Sequence, residues 1–120
     1  MTMKKVYICS PYRGDVETNV QNARKYCRAA VELGCLPIAP HLLFPQFMND
    51  DDPAERGVAI EMDFNLIGIC DEIWAFGLDR PTEGMRAEIR WAEGTGVPVL
   101  DGFKMIGRRI DHAKDSRNQE

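Results

Sequence analysis

The feature that most constrains the fold is the alternation of short apolar runs with longer segments of helical periodicity. The runs have four or five residues each and carry the residue types of buried strands. They occupy positions 5–9, 36–39, 72–76 and 97–100. Between the runs, apolar side chains recur at helical spacing. The predicted helices cover 16–33, 55–70 and a third segment that contains Met85, Ile89 and Ala92 and ends near Gly94 and Gly96.

Strands that alternate with helices favour a mostly parallel sheet covered on both faces. Because crossover connections are right-handed, few topologies remain. We predict an α/β fold, a flavodoxin-like or Rossmann-like three-layer sandwich with four or five strands. Ligands bind such sheets beyond the carboxyl ends of the strands, so the first three loops at that edge should surround one cleft. The loops at that edge begin at Ser10, Pro40, Gly77 and Asp101.

Length and composition indicate one globular domain. The chain has 120 residues, of which 44% are hydrophobic and 28% charged, as in ordinary globular proteins. We expect the domain over 1–107, followed by a polar tail or short helix over 108–120. The net charge of −4 argues against a nucleic-acid polymer as partner. Apolar stretches are too short for a membrane span, and no signal-peptide pattern is present, so we expect no membrane partner and a cytoplasmic location.

Cysteine and histidine spacing gives no sign of a metal site. The four cysteines are scattered without a CxxC pair, which argues against a zinc site or a redox pair. His41 and His112 have no partner at ligand spacing. We therefore predict that no metal is bound.

Two carboxylates share helix faces with apolar residues. Glu88 lies three residues after Met85, and Asp63 lies one turn before Ile67. Each alone could be a solvated residue at the edge of an apolar stripe. Together, on different helices near one cleft, they match the pair that glycoside hydrolysis uses, one carboxylate attacking a carbon and the other handling the leaving-group proton.

Other residues near the predicted cleft have more than one interpretation each. The helix start at Thr82 and Gly84 favours an anion, although Thr82 could simply cap the helix. Arg13 is either a phosphate contact or an ordinary surface arginine. Tyr7 is either a core residue or one whose hydroxyl needs a partner such as Glu88. His41 could anchor the loop, stack on a base or carry a proton.

Three motifs resemble those of nucleoside 2-deoxyribosyltransferases and the related 2′-deoxynucleoside 5′-monophosphate N-glycosidases. They arrive in the family order and cover most of residues 5–100. The motifs read YICSPYRG, EMDFNLIGICDEIWAF and TEGMRAEIRWAEGTGVPVL.

The resemblance implies roles for individual residues. Glu88 matches the nucleophile that attacks the anomeric carbon, Asp63 the acid that helps the base depart, and Tyr7 the tyrosine that orients the nucleophile. The remaining positions that match the motifs or lie beside the substrate are assigned to substrate binding. They are Ser10, Arg13, His41, Thr82, Gly84 and Met85.

Thr82 and Arg13 match positions that grip a 5′-phosphate in the monophosphate-cleaving branch. The free-nucleoside branch has an aspartate where this chain has Thr82. A hydroxyl tolerates a phosphate dianion that a carboxylate would repel, so Thr82 favours a nucleotide ligand.

The resemblance implies an enzyme that cleaves, or transfers across, the N-glycosidic bond of a (deoxy)nucleoside or its 5′-monophosphate, without a cofactor. It also implies a homodimer or larger homo-oligomer. One alternative is a non-catalytic nucleotide-binding module, a sensor or sponge for a nucleotide-derived signal. Another is an assembly domain with a vestigial cleft.

Overall fold

The computed structural model describes residues 2–107, and the predicted tail over 108–120 lies outside them. The strands and helices within these residues alternate along the chain. The strands are β1 (Lys5–Cys9), β2 (Leu36–Ile38), β3 (Glu72–Ala75) and β4 (Val99–Asp101). The helices are α1 (Val16–Glu32), α2 (Pro53–Gly68) and α3 (Glu83–Thr95).

The strands form one parallel sheet in the order β2-β1-β3-β4, which confirms the predicted α/β architecture. Cys9 at the end of β1 pairs with Ala75 at the end of β3, and Ala75 pairs with Asp101 at the end of β4. Three carboxyl ends therefore lie level at one edge. We call this edge the carboxyl edge and the opposite one the amino edge.

Each strand sends alternate side chains to two separate apolar cores, because successive residues of a strand point to opposite faces. The core on the side of α2 and α3 is built from Tyr7, Cys9, Ile67, Cys70, Ile73, Ala75, Met85 and Ala92. The core on the side of α1 is built from Val6, Ile8, Ala30, Cys35, Trp74 and Phe76.

Helix α2 begins two residues earlier than predicted because its capping signals act at Pro53. The Asp52 carboxylate accepts a hydrogen bond from the Ala54 amide at 2.9 Å, and Pro53 occupies the first helical position. Proline suits that position because it has no amide proton to leave unpaired. The preceding loop contains two short 3₁₀ helices, Pro40–Leu42 and Phe44–Gln46, which the sequence pattern did not indicate.

Val31 of α1 and Ile60 of α2 are apolar side chains with the helical spacing of core residues, yet both are exposed. Val31 is 48% exposed because it lies one residue beyond the buried Ala30, about 100° around the helix. Ile60 is 38% exposed and faces a cavity rather than the sheet. No helix within residues 2–107 is long and apolar enough to cross a bilayer.

Candidate active site

A cavity of about 290 Å³ opens at the carboxyl edge of the sheet. Its walls come from the loop after β1, the segment that follows β2, one face of α2 and the first turns of α3. All the predicted site residues except Tyr7 line it, and Tyr7 lies beneath Glu88 in the core. The lining residues taken from the sequence prediction are Ser10, Arg13, His41, Asp63, Thr82, Gly84, Met85 and Glu88.

Glu88 is a buried carboxylate with few hydrogen-bond donors around it to offset the cost of burial. It is 5% exposed, and its Oε2 has no hydrogen-bond partner within residues 2–107. Burial raises the pKa of Glu88 to about 8, and the charge of Asp63 adds to the rise. The neighbouring Tyr7 hydroxyl acts in the opposite direction. The two groups shift each other's pKa, but their contact falls outside ordinary hydrogen-bond geometry.

Asp63 reaches the same cavity from α2. It is 9% exposed, and its Oδ1 also has no partner among the described residues. Burial raises the pKa of Asp63 to about 7, and the nearby charge of Asp50 contributes. Two carboxyl groups on separate helices therefore sit in one cavity with pKa values near neutrality. Such shifts are typical of groups that exchange protons in enzymes.

His41 lies beside Glu88. Its Nε2 is 3.8 Å from Glu88 Oε1, which is too long for a hydrogen bond. Burial lowers the pKa of His41, while the charge of Asp50 opposes that effect. The ring stacks on Tyr12 with 5.5 Å between centroids. Burial therefore disfavours the charged form of both His41 and Glu88.

The start of α3 shows both properties considered for it from the sequence. Thr82 caps the helix, since its Oγ1 accepts a hydrogen bond from the Met85 amide at 3.2 Å. The amides of Glu83 and Gly84 have no acceptor within residues 2–107. Free amides at a helix start attract anions, although the Glu83 carboxylate, which also lines the cavity, works against one.

The predicted site residues did not include six charged or aromatic residues of the cavity wall, namely Tyr12, Phe44, Asp50, Arg56, Phe64 and Glu83. Nε of Arg13 lies 3.1 Å from Oδ2 of Asp50, so this predicted phosphate contact is already paired.

Arg56 sits in the first turns of α2, where the helix dipole disfavours a cation. That mismatch becomes visible only once the start of α2 is known. The inward position of Asp50 and Phe44 could not be predicted from the sequence, because it depends on how the loop packs.

The cavity shows no preformed metal centre. Within residues 2–107, no group of three or more His, Cys, Asp or Glu side chains is placed to hold a metal ion.

The fold is similar to those of two solved enzymes. One is a 2-deoxyribosyltransferase from Bacillus psychrosaccharolyticus, at 20% identity and a TM-score of 0.58, with 79% of this chain and 69% of that chain covered. The other is a CMP N-glycosidase from Clostridium botulinum, at 21% identity and a TM-score of 0.54, with 80% and 68% covered. These likenesses confirm, at the level of the fold, the resemblance carried by the three motifs.

No significant match to a curated protein is found. A family model does match, over residues 4–101, which is most of the chain and includes every strand of the sheet. The chain therefore belongs to the family described as a domain of unknown function, DUF7768.

Proposed function

We propose that this protein cleaves, or transfers across, the N-glycosidic bond of a (deoxy)nucleoside or nucleoside 5′-monophosphate, with Glu88 as nucleophile. The observation that carries the proposal is the pair of buried carboxylates, Glu88 and Asp63, whose inner oxygens lack partners in one cavity. The two solved enzymes of similar fold, a 2-deoxyribosyltransferase and a CMP N-glycosidase, support this reaction class.

The carboxylates take the two roles that glycosyl transfer needs. Glu88 attacks C1′, the bond from C1′ to the base nitrogen breaks, and a glycosyl-enzyme ester forms. Asp63, with a pKa of about 7, delivers its proton to the departing base. Water then attacks C1′ and releases the sugar, or a second base attacks and a new nucleoside is formed. Asp63 recovers its proton from that nucleophile.

Glu88 must lose its own proton before it attacks, because burial raises its pKa to about 8 and favours the protonated form. His41 is positioned to accept this proton, with Nε2 at 3.8 Å from Glu88 Oε1. Positive charge that develops on the sugar stabilises the resulting carboxylate in the transition state, an interaction that bulk water does not screen here. The Tyr7 hydroxyl beneath Glu88 favours the same ionised form.

The test is incubation of the protein with a panel of nucleosides and 5′-monophosphates, with and without an added free base, followed by chromatography. Release of base is expected from at least one panel member. Exchange of bases would identify a transferase, and release alone would identify a hydrolase. Mass spectrometry of protein quenched during turnover should detect the sugar on a Glu88-containing peptide.

A matched pair of variants separates chemistry from folding. Glu88→Gln should abolish base release while keeping the melting temperature. Glu93→Gln changes an exposed glutamate of the same helix and should leave activity unchanged. If Glu88→Gln remains active, the nucleophile assignment is wrong. If the native protein binds nucleotides but cleaves none at substrate-level enzyme, the nucleotide-binding module replaces the enzyme as the better account.

A further inference from the structure

The cavity wall contains charged groups of both signs, and most of them have an evident partner or role. The charged residues on the wall are Arg13, Asp50, Arg56, Asp63, Glu83 and Glu88. Asp63 and Glu88 are the proposed reacting pair. Glu83 is exposed in the first turn of α3, where acidic residues suit the helix dipole. The basic groups are the ones that an incoming anion would meet.

Arg13 already has an anionic partner. Its Nε lies 3.1 Å from Oδ2 of Asp50. Asp50 sits in a turn held by hydrogen bonds from the amides of Asp51 and Asp52 to the side chain and the backbone carbonyl of Asn49, at 3.0 and 3.2 Å. The carboxylate therefore lies beside the guanidinium and partly offsets the charge of Arg13, although both side chains are partly exposed to solvent.

Arg56 is different because nothing described neutralises it. The residue is partly buried and lines the cavity, and its side chain makes no ion pair or hydrogen bond within residues 2–107. Its amide donates to the Asp52 carbonyl at 2.8 Å, which fixes its place in the opening of α2. A partly desolvated guanidinium near the positive end of a helix is unfavourable unless an anion arrives.

We propose that Arg56 binds the 5′-phosphate of the substrate and is the residue that selects a nucleotide over a nucleoside. This inference rests on the proposed function. A guanidinium offers a planar fork of donors that matches two phosphate oxygens. A dianion without such a cation would repel the ionised Glu88 that attack requires. Arg56 therefore both binds the phosphate and shields the reacting carboxylates from its charge.

The experiment measures binding by calorimetry in a Glu88→Gln background, in which the ligand stays intact. The probes are the common ribo- and deoxyribonucleoside 5′-monophosphates and the corresponding nucleosides. Arg56→Gln should weaken monophosphate binding by about 10- to 100-fold, the range for a charge-assisted hydrogen bond. Nucleoside binding should stay within about twofold of its parent value. Arg56→Lys should recover part of the loss, because it restores the charge without the fork.

Two controls sharpen the result. Arg90→Gln removes an exposed arginine of α3 and should change neither affinity. Arg13→Gln should weaken monophosphate binding less than Arg56→Gln does, because Asp50 already partly offsets the charge of Arg13. The inference is overturned if Arg56→Gln has no effect, or if it weakens nucleoside and monophosphate equally, as a contact to base or sugar would.

Failure of this inference is distinguishable from failure of the proposed function. Cleavage of nucleosides but not of monophosphates by the native protein would overturn the role of Arg56 and leave the reaction class standing. Absence of both cleavage and binding for every panel member would overturn the two together.

Discussion

The amino and carboxyl edges of the sheet each bury a glutamate, and the two glutamates are treated in opposite ways. Glu72 at the amino edge is 9% exposed, and its Oε1 accepts a hydrogen bond from Trp74 Nε1 at 2.9 Å and lies 3.5 Å from Lys4 Nζ. Asp71 beside it accepts from the Lys5 amide at 2.7 Å. Glu88 at the carboxyl edge has an unpartnered oxygen and a raised pKa.

The contrast separates a carboxylate that the fold compensates from the one that we propose as the nucleophile. A buried carboxylate is unfavourable unless donors or cations surround it. Glu72 has them, so its burial serves the fold. Glu88 lacks such partners within residues 2–107. Three other buried atoms at the carboxyl edge also have no hydrogen-bond partner within these residues. These are the hydroxyl oxygens of Tyr7 and Ser10 and Oδ1 of Asp63. A bound ligand is the natural source of the missing hydrogen bonds.

The largest expected difference is in turnover. Glu88→Gln should lower the rate of base release by on the order of 10⁴-fold or more, as expected when a nucleophile is removed. Glu72→Gln keeps the acceptor for Trp74 and should leave the rate within about twofold. Steady-state kinetics on the same substrate measures both. Equal losses in the two variants would mean that the edges do not differ in the way their contacts indicate.

The next effect is on stability against pH. The pKa of Glu88 rises from 4.5 to about 8 and that of Asp63 from 3.8 to about 7 on folding. The folded state therefore binds more protons than the unfolded state, and the free energy of unfolding falls as pH rises towards 8. His41, with its lowered pKa, acts in the opposite sense below 6.5. The fall should be clearest between pH 6.5 and 8.

Urea denaturation at several pH values measures this dependence. The slope is at most about 1.4 kcal/mol per pH unit for each group. Glu88→Gln with Asp63→Asn should flatten it, whereas Glu72→Gln should not. A profile that stays flat in the native protein would contradict the raised pKa values.

A smaller effect is expected when the amino edge is disrupted. Glu72→Ala leaves the indole N–H of buried Trp74 without its acceptor, which should reduce the free energy of unfolding by about 1–3 kcal/mol. The loss should be similar at pH 6.5 and 8. Chemical denaturation at the two pH values checks it, and a loss that grew with pH would tie Glu72 to the titrating groups of the other edge.

The smallest expected effect follows from Asp50→Asn. Asp50 raises the pKa of Asp63 and opposes the lowering of the His41 pKa, so its neutralisation should lower both values. The shift should be small, because solvent partly screens the Asp50 charge. Carbon-13 NMR of the Asp63 carboxyl group and proton NMR of His41 follow the two titrations. An upward shift of either pKa would show that Arg13, once released from Asp50, moves away from the cavity.

Much of the fold could be predicted from the sequence because local signals agreed. Apolar runs bounded by turn residues located the strands to within two residues, and helical periodicity located the helices. Errors arose where tertiary packing decides. Ile60 has the spacing of a core residue, yet it faces the cavity because the loop of 3₁₀ helices stands off from α2 at that point.

The candidate site was predictable where a motif fixes a residue on a regular element, as with Glu88 on α3 and Asp63 on α2. It was less predictable where partners come from the loop after β2. The pairing of Arg13 with Asp50 joins residues far apart in the chain through a turn whose position is set by hydrogen bonds to Asn49. Arg56 gave a readable signal, a cation where the helix dipole favours an acid, but only once the start of α2 was known.

Because side chains alternate along β1, this strand contributes to both apolar cores, but only one of the two cores lies beneath the candidate site. Tyr7 and Cys9 face the core on the side of α2 and α3, whereas Val6 and Ile8 face the core on the side of α1. Substitutions beneath α1 can reach the site through the β1 backbone or through Asn19 of α1, whose side-chain amide donates to the carbonyls of Tyr12 and Arg13. A misregistered β1, shifted by one residue, would move Tyr7 out of the site and into the opposite core. The register of β1 therefore determines whether Tyr7 lies beneath Glu88 in the candidate site.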